Sequence, residues 1–117
     1  MQLFTTLINN MQGGVLVESA DRIITHSNQA FCDIFGIPGP DALAGASCEA
    51  SARMASSLFK EPQRFLDDIE SSLLQGVVVV GHRLQLNDGR VLERDYIPVT
   101  TKDTCAGNMW VYRLVTP

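Results

Sequence analysis

The side chains best suited to ligand chemistry are His82 and Arg94, which a β-hairpin would place side by side. Residues 87–89, Asn-Asp-Gly, are typical of a hairpin turn because such turns need residues that tolerate a positive φ. A turn centred on Asp88 pairs His82 with Arg94. Strand side chains alternate, so these two share a face with three further cross-strand pairs: Leu86 with Arg90, Leu84 with Leu92, and Val80 with Tyr96. A histidine beside an arginine on an apolar, aromatic face indicates anion recognition.

The opposite face of the same hairpin supports this register. It pairs Arg83 with Glu93, and opposite charges directly across two strands stabilise the pairing. The plainer interpretation of His82 and Arg94 is that both reach the rim of the face, or that His82 hydrogen-bonds a tyrosine or the backbone. Polar groups on a concave face are often only satisfied structural groups, so the sequence leaves both interpretations open.

The acidic pairs do not suggest catalysis. Glu93 and Asp95 share a strand face, but it is the face opposite His82, and Arg83 offsets the charge of Glu93. Asp67 and Asp68 are neighbours on a predicted helix and therefore point apart. No serine lies in a nucleophile elbow, and no glycine-rich phosphate loop follows a strand. The sequence predicts no catalytic residues and a protein that is not an enzyme.

Composition predicts one small globular domain. The chain has 117 residues, 45% of them hydrophobic, and a formal net charge of −4 without a basic stripe, which argues against nucleic-acid binding. No apolar run is long enough for a membrane segment. Cys32, Cys48 and Cys105 are widely spaced with no C-x-x-C pair, so neither a metal site nor a disulfide framework is predicted. A reducing cytoplasm is the expected location.

The predicted elements begin with an amphipathic helix over residues 1–13. Its apolar stripe, at helical spacing, comprises Leu3, Phe4, Leu7, Ile8 and Met11. Strands at 15–18 and 22–26 flank a turn and lead into a short helix at about 28–35, capped by Asn28 and ended by Gly36. Residues 38–58, rich in small residues, predict loops with one or two brief helical turns.

The second half predicts one long helix and three strands. The helix starts near Pro62 and ends at Gly76. Its expected buried face comprises Phe65, Leu66, Ile69, Leu73 and Leu74. The His82–Arg94 hairpin follows, and a last strand covers about 107–116.

This order of elements resembles the PAS domain of bacterial signalling proteins. The local motifs that carry the resemblance are Asn28-x-Ala30-Phe31, Asp41-Ala42-Leu43-x-Gly45, Asp88-Gly89, Pro98, and Tyr112-Arg113-x-Val115-Thr116. The resemblance implies an α+β PAS fold over residues 14–117. Its sheet would be five-stranded and antiparallel in the order 2-1-5-4-3, with short helices and one long helix on one face.

The resemblance also implies a pocket beneath the helices. The residues that would face a ligand there are His82, Arg94, Tyr96, Trp110, Tyr112, Leu84 and Leu92. The implied function is a sensory module of a larger protein, a sensor histidine kinase or a diguanylate cyclase, whose effector is absent from this chain. One departure is Leu114, which replaces the aspartate that usually couples the sheet to the next helix.

The known PAS cofactors fit these residues poorly. Residues 45–48, Gly-Ala-Ser-Cys, resemble the start of the photoreceptor motif, but the arginine and glutamine that hold a flavin are replaced. Leu84, Leu92 and Tyr112 stand where flavin-binding amides are expected. Haem-binding PAS domains use a histidine on the long helix, and residues 62–75 have none. His26, on the second strand, is expected to be a structural or edge residue, and the sequence leaves open whether its side chain faces inward or outward. Flavin and haem are both disfavoured, and any cofactor is unknown.

Two functions from different classes remain. The first is a sensor of a small ligand, where an acidic group such as a carboxylate would pair with Arg94 if that side chain faces inward. The second is a ligand-free dimerisation and relay module whose pocket is filled by Trp110, Tyr96 and Tyr112. Both include a homodimer, because the N-terminal stripe and an outer sheet face would otherwise expose apolar surface. The outer-face residues are Val79, Val91, Ile97 and Val99.

Overall fold

The computed structural model describes residues 13–102 and 104–115. The predicted N-terminal helix, with Leu3, Phe4, Leu7, Ile8 and Met11, lies outside the described residues. The elements follow in the order β1 (Gly14–Ser19), β2 (Ile24–Ser27), α1 (Gln29–Phe35), α2 (Cys48–Ala55), α3 (Pro62–Gln75), β3 (Val79–Gln85), β4 (Val91–Thr101) and β5 (Thr104–Leu114). Single 3₁₀ turns at Pro40–Ala42 and Ser56–Leu58 precede and follow α2.

The strands form one antiparallel sheet in the order β2-β1-β5-β4-β3, which confirms the predicted topology. Apolar residues of the three helices pack on one face of this sheet and form the main core with Leu16, Tyr96, Trp110 and Tyr112. The opposite face carries a second cluster: Val15, Val17, Ile97, Met109 and Val111. A buried functional site would therefore lie on the helix-covered face.

Asn28 joins β1 to α1, and its side chain is buried. Its Oδ1 accepts hydrogen bonds from the backbone N–H of Val15 (2.9 Å) and of Phe31 (3.0 Å), while its Nδ2 donates to the carbonyl of Gly13 (3.0 Å). The amide thus caps the helix and also bonds to two backbone groups of the β1 region. Gly14 lets the helix approach this closely, because a Cβ there would lie 2.7 Å from Phe31 Cα.

We expect Asn28→Ala to lower the free energy of unfolding by about 2–4 kcal/mol, because it leaves buried backbone groups without partners. Ser47→Ala is the matched control. Ser47 also caps a helix, but it is exposed and accepts one bond, from the Ala50 N–H at 3.2 Å, so its loss should cost about 0.5–1 kcal/mol. Urea unfolding measures both, and equal losses would contradict the special role of Asn28.

The long helix has the predicted bounds, ending at Gly76 with φ of 63°. Its buried residues are Phe65, Ile69 and Ser72, at positions i, i+4 and i+7. The prediction that Leu74 is buried is wrong, since its side chain is 89% exposed. Ser72 faces the sheet and Leu74 does not, because the helical spacing from Phe65 and Ile69 fixes which positions face inward, whatever their hydrophobicity.

The β3–β4 register confirms three predicted pairs: His82 with Arg94, Leu84 with Leu92, and Arg83 with Glu93. The pairing of Val80 with Tyr96 is wrong, because Gly81 adopts a φ of 75° and shifts the register, so that Val79 pairs with Tyr96. The Gly81 N–H donates to Asp95 Oδ1 at 2.9 Å. The shift puts Val79 against the main core, not on the outer face, and leaves Val80 exposed.

The loop prediction for residues 38–58 missed a helix. Helix α2 has eight residues and begins at an N-cap serine, Ser47, with Glu49 in its first turn and Arg53 in its last. These charges suit the helix dipole. Its sequence lacks a strong apolar stripe, which is why periodicity alone predicted only brief turns here.

Candidate functional site

A cavity of about 50 Å³ lies beneath the helices, against the inner face of β1 and β5. Aromatic rings from three elements supply most of its wall: Phe31, Phe35, Phe65, Trp110 and Tyr112. Helix α2 contributes small residues, including Ser51, Ala52 and Ala55. A single buried water needs about 10–15 Å³, so the cavity has room for roughly three to five atoms of that size.

Arg22 is the charged residue that lines this cavity, and Arg94 is a second arginine, which is buried and contacts two rings of the cavity wall. The Arg94 side chain is 2% exposed, and its guanidinium carbon lies 5.7 Å from the ring centroid of Phe65 and 5.5 Å from that of Trp110. Both rings also line the cavity. Among the described residues, none accepts a hydrogen bond from either terminal nitrogen of Arg94. The two rings partly stabilise the cation, but its strongest donors have no acceptor.

Tyr112 pairs with Arg94 across β4 and β5. Burial raises the pKa of the Tyr112 hydroxyl, and the positive charge of Arg94 and a side-chain hydrogen bond between the two residues oppose that rise. The hydroxyl therefore remains protonated at neutral pH. The cavity thus has a neutral aromatic wall beside the positive charge of Arg94.

His82 does not join Arg94 at the cavity, although the two residues are paired in the sheet. Its Nε2 lies 3.0 Å from Asp68 Oδ2 on α3, and its side chain is 27% exposed. It lines an open cleft of about 270 Å³ between α3 and β3, together with Arg64 and Arg83. Because β3 is an edge strand, His82 reaches the rim and bridges to the helix. The plainer interpretation of the sequence expected this position for His82, but it also expected it for Arg94, which is buried.

The other predicted ligand residues have different surroundings. Trp110 and Tyr112 line the cavity. Tyr96 packs on Trp110 with ring centroids 4.5 Å apart, and its hydroxyl donates to Asn108 Oδ1 at 2.6 Å. Leu84 and Leu92 are buried in the main core. The structure therefore brings Arg94, Trp110 and Tyr112 together at the cavity, whereas Tyr96, Leu84 and Leu92 pack in the same core without lining the cavity.

Sequence reasoning missed a buried ion pair beside the cavity. Glu18 is 1% exposed and accepts hydrogen bonds from Trp110 Nε1 (2.8 Å) and Arg22 Nε (3.0 Å). Arg22 has a φ of 65°, and its carbonyl accepts from the Cys48 N–H at 2.9 Å. One signal was present: strand alternation puts Glu18 on the same inward face as Leu16.

Cys48 lies in the wall of the cavity beside this ion pair. Burial first and the Glu18 carboxylate second raise the pKa of its thiol to about 12, although Arg22 opposes the rise. The protonated thiol is a poor nucleophile at neutral pH. Cys48 therefore behaves as a small packing group here.

We expect the native protein to react rapidly with iodoacetamide at pH 8 at one thiol only, the exposed Cys105. Cys48 should react only after unfolding, since its thiolate is scarce below its raised pKa. Peptide mass spectrometry after timed labelling measures both. In the control Cys105→Ser the fast phase should vanish, and a fast phase retained at Cys48 would refute this account.

His26 lies on the edge strand β2 and pairs with Val17, a member of the outer cluster. Cross-strand partners share a face, so His26 points away from the cavity. Within the described ranges no group of three or more histidine, cysteine or acidic side chains could hold a metal ion. In the same part of the chain, no helix combines the length and apolarity that crossing a membrane requires.

Comparison with known protein families decides which family this fold represents. A family model described as "PAS domain" matches residues 2–78. The chain belongs to the PAS domain family. PAS domains are sensory modules of signalling proteins and are generally non-catalytic, so this chain is a sensory module. No curated protein matches the chain.

Solved PAS structures share the fold at low sequence identity. The PAS domain of BvgS from Bordetella pertussis is 16% identical, with a TM-score of 0.72 over 99% of this chain and 86% of that one. The PAS domain of a LuxR-family transcriptional regulator from Burkholderia thailandensis, in complex with ethanol, is 16% identical, with a TM-score of 0.59 over 96% of each chain. The sensor region of a sensor histidine kinase is 14% identical, with a TM-score of 0.67 over 87% of this chain and 39% of that one.

Proposed function

We propose that this PAS domain senses a small anionic ligand in the cavity beneath its sheet and relays its binding through contacts in a homodimer. The observation that carries the proposal is Arg94, buried beside the cavity with no described acceptor for its terminal nitrogens. Burying a charge without a partner costs several kcal/mol, which two aromatic faces offset only in part. An anionic ligand would supply the missing acceptors.

A ligand of a few atoms fits this cavity better than a large cofactor. Pockets for drug-sized ligands measure about 300–1,000 Å³, whereas this cavity measures about 50 Å³. A cavity of this size does not accommodate a flavin or a haem. The Burkholderia PAS domain in complex with ethanol supports a ligand of similarly small size.

The second candidate is a ligand-free relay module. The same small volume favours it, since Phe31, Phe35, Phe65, Trp110 and Tyr112 fill most of the space beneath the sheet. In that case Arg94 would be a structural cation held by Phe65 and Trp110. The two candidates predict opposite effects of removing its charge.

For the parent protein we propose a cytoplasmic signalling protein with a histidine kinase or diguanylate cyclase effector linked to this domain. The sensor histidine kinase neighbour, of which the aligned region is 39%, supports the first arrangement. The domain itself would not be an enzyme. Its acidic pair Glu93 and Asp95 binds Arg113, with distances of 3.7 Å and 2.7 Å, so both carboxylates already have a structural partner.

We expect a small carboxylate at about ten times its Kd to raise the melting temperature by about 5 °C, because it binds only the folded state. Arg94→Met should abolish that rise while leaving the ligand-free domain as stable or more stable, since an unpaired buried charge is removed. His82→Ala, at the rim, should keep the response. Differential scanning fluorimetry measures all three.

The opposite result would support the ligand-free relay module. If no small anion stabilises the wild type, and Arg94→Met lowers the melting temperature, the cation is structural. The relay module would then be the function that the measurements support.

We also propose a homodimer that involves the N-terminal stripe and the outer sheet face, where Val99 is exposed and Val91 and Ile97 are half-buried. Leu7→Glu should shift the protein to a monomer by placing a charge in the apolar contact. Leu74→Glu is the control, because Leu74 is 89% exposed on α3, on the helix-covered side. Light scattering at high micromolar concentration measures the molar mass, and a monomeric wild type would contradict the proposal.

A further inference from the structure

We infer that the ligand is a short-chain aliphatic monocarboxylate, held by its carboxylate at Arg94 and by its tail in the cavity. This inference rests on the proposed function and narrows it to one chemical class. Its three supports are the charge balance around the cavity, the chemistry of the cavity wall and the position of Arg94 relative to both.

The charge balance leaves one positive charge to be matched. Arg22 lines the cavity and already pairs with the buried Glu18 at 3.0 Å. Arg94, by contrast, lies against two rings of the cavity wall, Phe65 and Trp110. Arg94 alone lacks an acceptor for its terminal nitrogens among the described residues. A single carboxylate accepts two parallel hydrogen bonds from a guanidinium. A second anionic group on the ligand would be buried with no cation to pair with, which disfavours dicarboxylates and phosphate.

The wall chemistry favours an aliphatic tail. Ala52 and Ala55 on α2, Ile69 on α3 and Phe35 on α1 present hydrocarbon to the cavity. A polar tail there would lose its hydration without gaining partners. Space for roughly three to five water-sized atoms corresponds to a tail of about two to four carbons.

One ligand must contact both the guanidinium of Arg94 and the cavity. Phe65 and Trp110 flank its guanidinium and also line the cavity, and Tyr112, its neighbour across the strands, does the same. A carboxylate bound to the guanidinium would therefore lie beside these rings. The volume of the cavity, about 50 Å³, limits the length of the tail.

The test is titration calorimetry with the sodium salts of acetate, propionate, butyrate, valerate and hexanoate. Each salt is compared with the amide of the same length, and malonate and succinate serve as dicarboxylates. We expect affinity to peak at propionate or butyrate. The best monocarboxylate should bind at least tenfold tighter than its amide or a dicarboxylate of equal length, because only it matches the single charge of Arg94.

Variants of the wall test the position of the tail. Ala52→Leu fills the cavity and should move the optimum to acetate, whereas Ile69→Val enlarges it and should move the optimum up by about one carbon. Ala50→Leu is the matched control, because Ala50 is exposed on the same helix and should leave the preference unchanged. Arg94→Met should remove the tenfold advantage of carboxylate over amide.

The outcomes separate this inference from the proposed function. Dicarboxylates that bind as tightly as butyrate would overturn the monocarboxylate class and would still support anion sensing. Amides that bind as tightly as carboxylates, with Arg94→Met unchanged, would leave a sensor of small neutral molecules. If no compound of the series binds at millimolar concentration, both the inference and the anionic-ligand function fail.

Discussion

The burial of one guanidinium constrains the interior of this PAS domain. Arg94 lies in the middle of β4 on the helix-covered face, where its charge is removed from water. Such a charge is tolerated when partners replace the lost hydration. Here Phe65 and Trp110 supply two ring faces, but the terminal nitrogens have no described acceptor. The packing of the long helix over the sheet therefore leaves the terminal nitrogens of Arg94, beside the cavity, without a hydrogen-bond acceptor among the described residues.

The domain shows two solutions to the burial of an arginine. Arg22 is compensated by Glu18, and the pair is further tied to Trp110 and to the start of α2 through the Cys48 N–H. Arg94 is compensated by the rings of Phe65 and Trp110 and by the hydroxyl of Tyr112. Trp110 touches both systems, since its indole N–H binds Glu18 and its ring faces Arg94. A change at Arg94 would reach the ion pair through this one side chain.

The outer face of the sheet carries a separate charge system. Asp95 accepts two hydrogen bonds from Arg113, at 2.7 Å and 2.9 Å, and one from the Gly81 N–H. The hydrogen bonds of Arg113 are the main reason that the pKa of the Asp95 carboxyl falls below its usual range. The carboxylate thus fixes the bulge in β3 and the end of β5 together. Leu114, where related domains are expected to have an aspartate, directly follows Arg113, so this ionic contact lies one residue from that departure.

The sequence alone determined most boundaries, because caps, turns and strand alternation act over a few residues, whereas the strand order followed from the resemblance to PAS domains. Asn28, Gly36 and Gly76 marked helix ends, and the Asn-Asp-Gly turn correctly placed Arg94 opposite His82. Local patterns could not decide what depends on distant groups. The helix α3 lies near β3, so His82 pairs with Asp68 instead of facing the cavity with Arg94.

The remaining features also came from tertiary packing. The bulge at Gly81 reversed the faces of Val79 and Val80, and only the sheet shows its effect on pairing. Glu18 appeared as an ordinary acidic residue until the fold placed Trp110 and Arg22 around it, across sequence separations of 92 and 4 residues. The sequence could name the residues of an inward face, but the depth of burial and the missing acceptors of Arg94 depend on how helices from different parts of the chain close over the sheet.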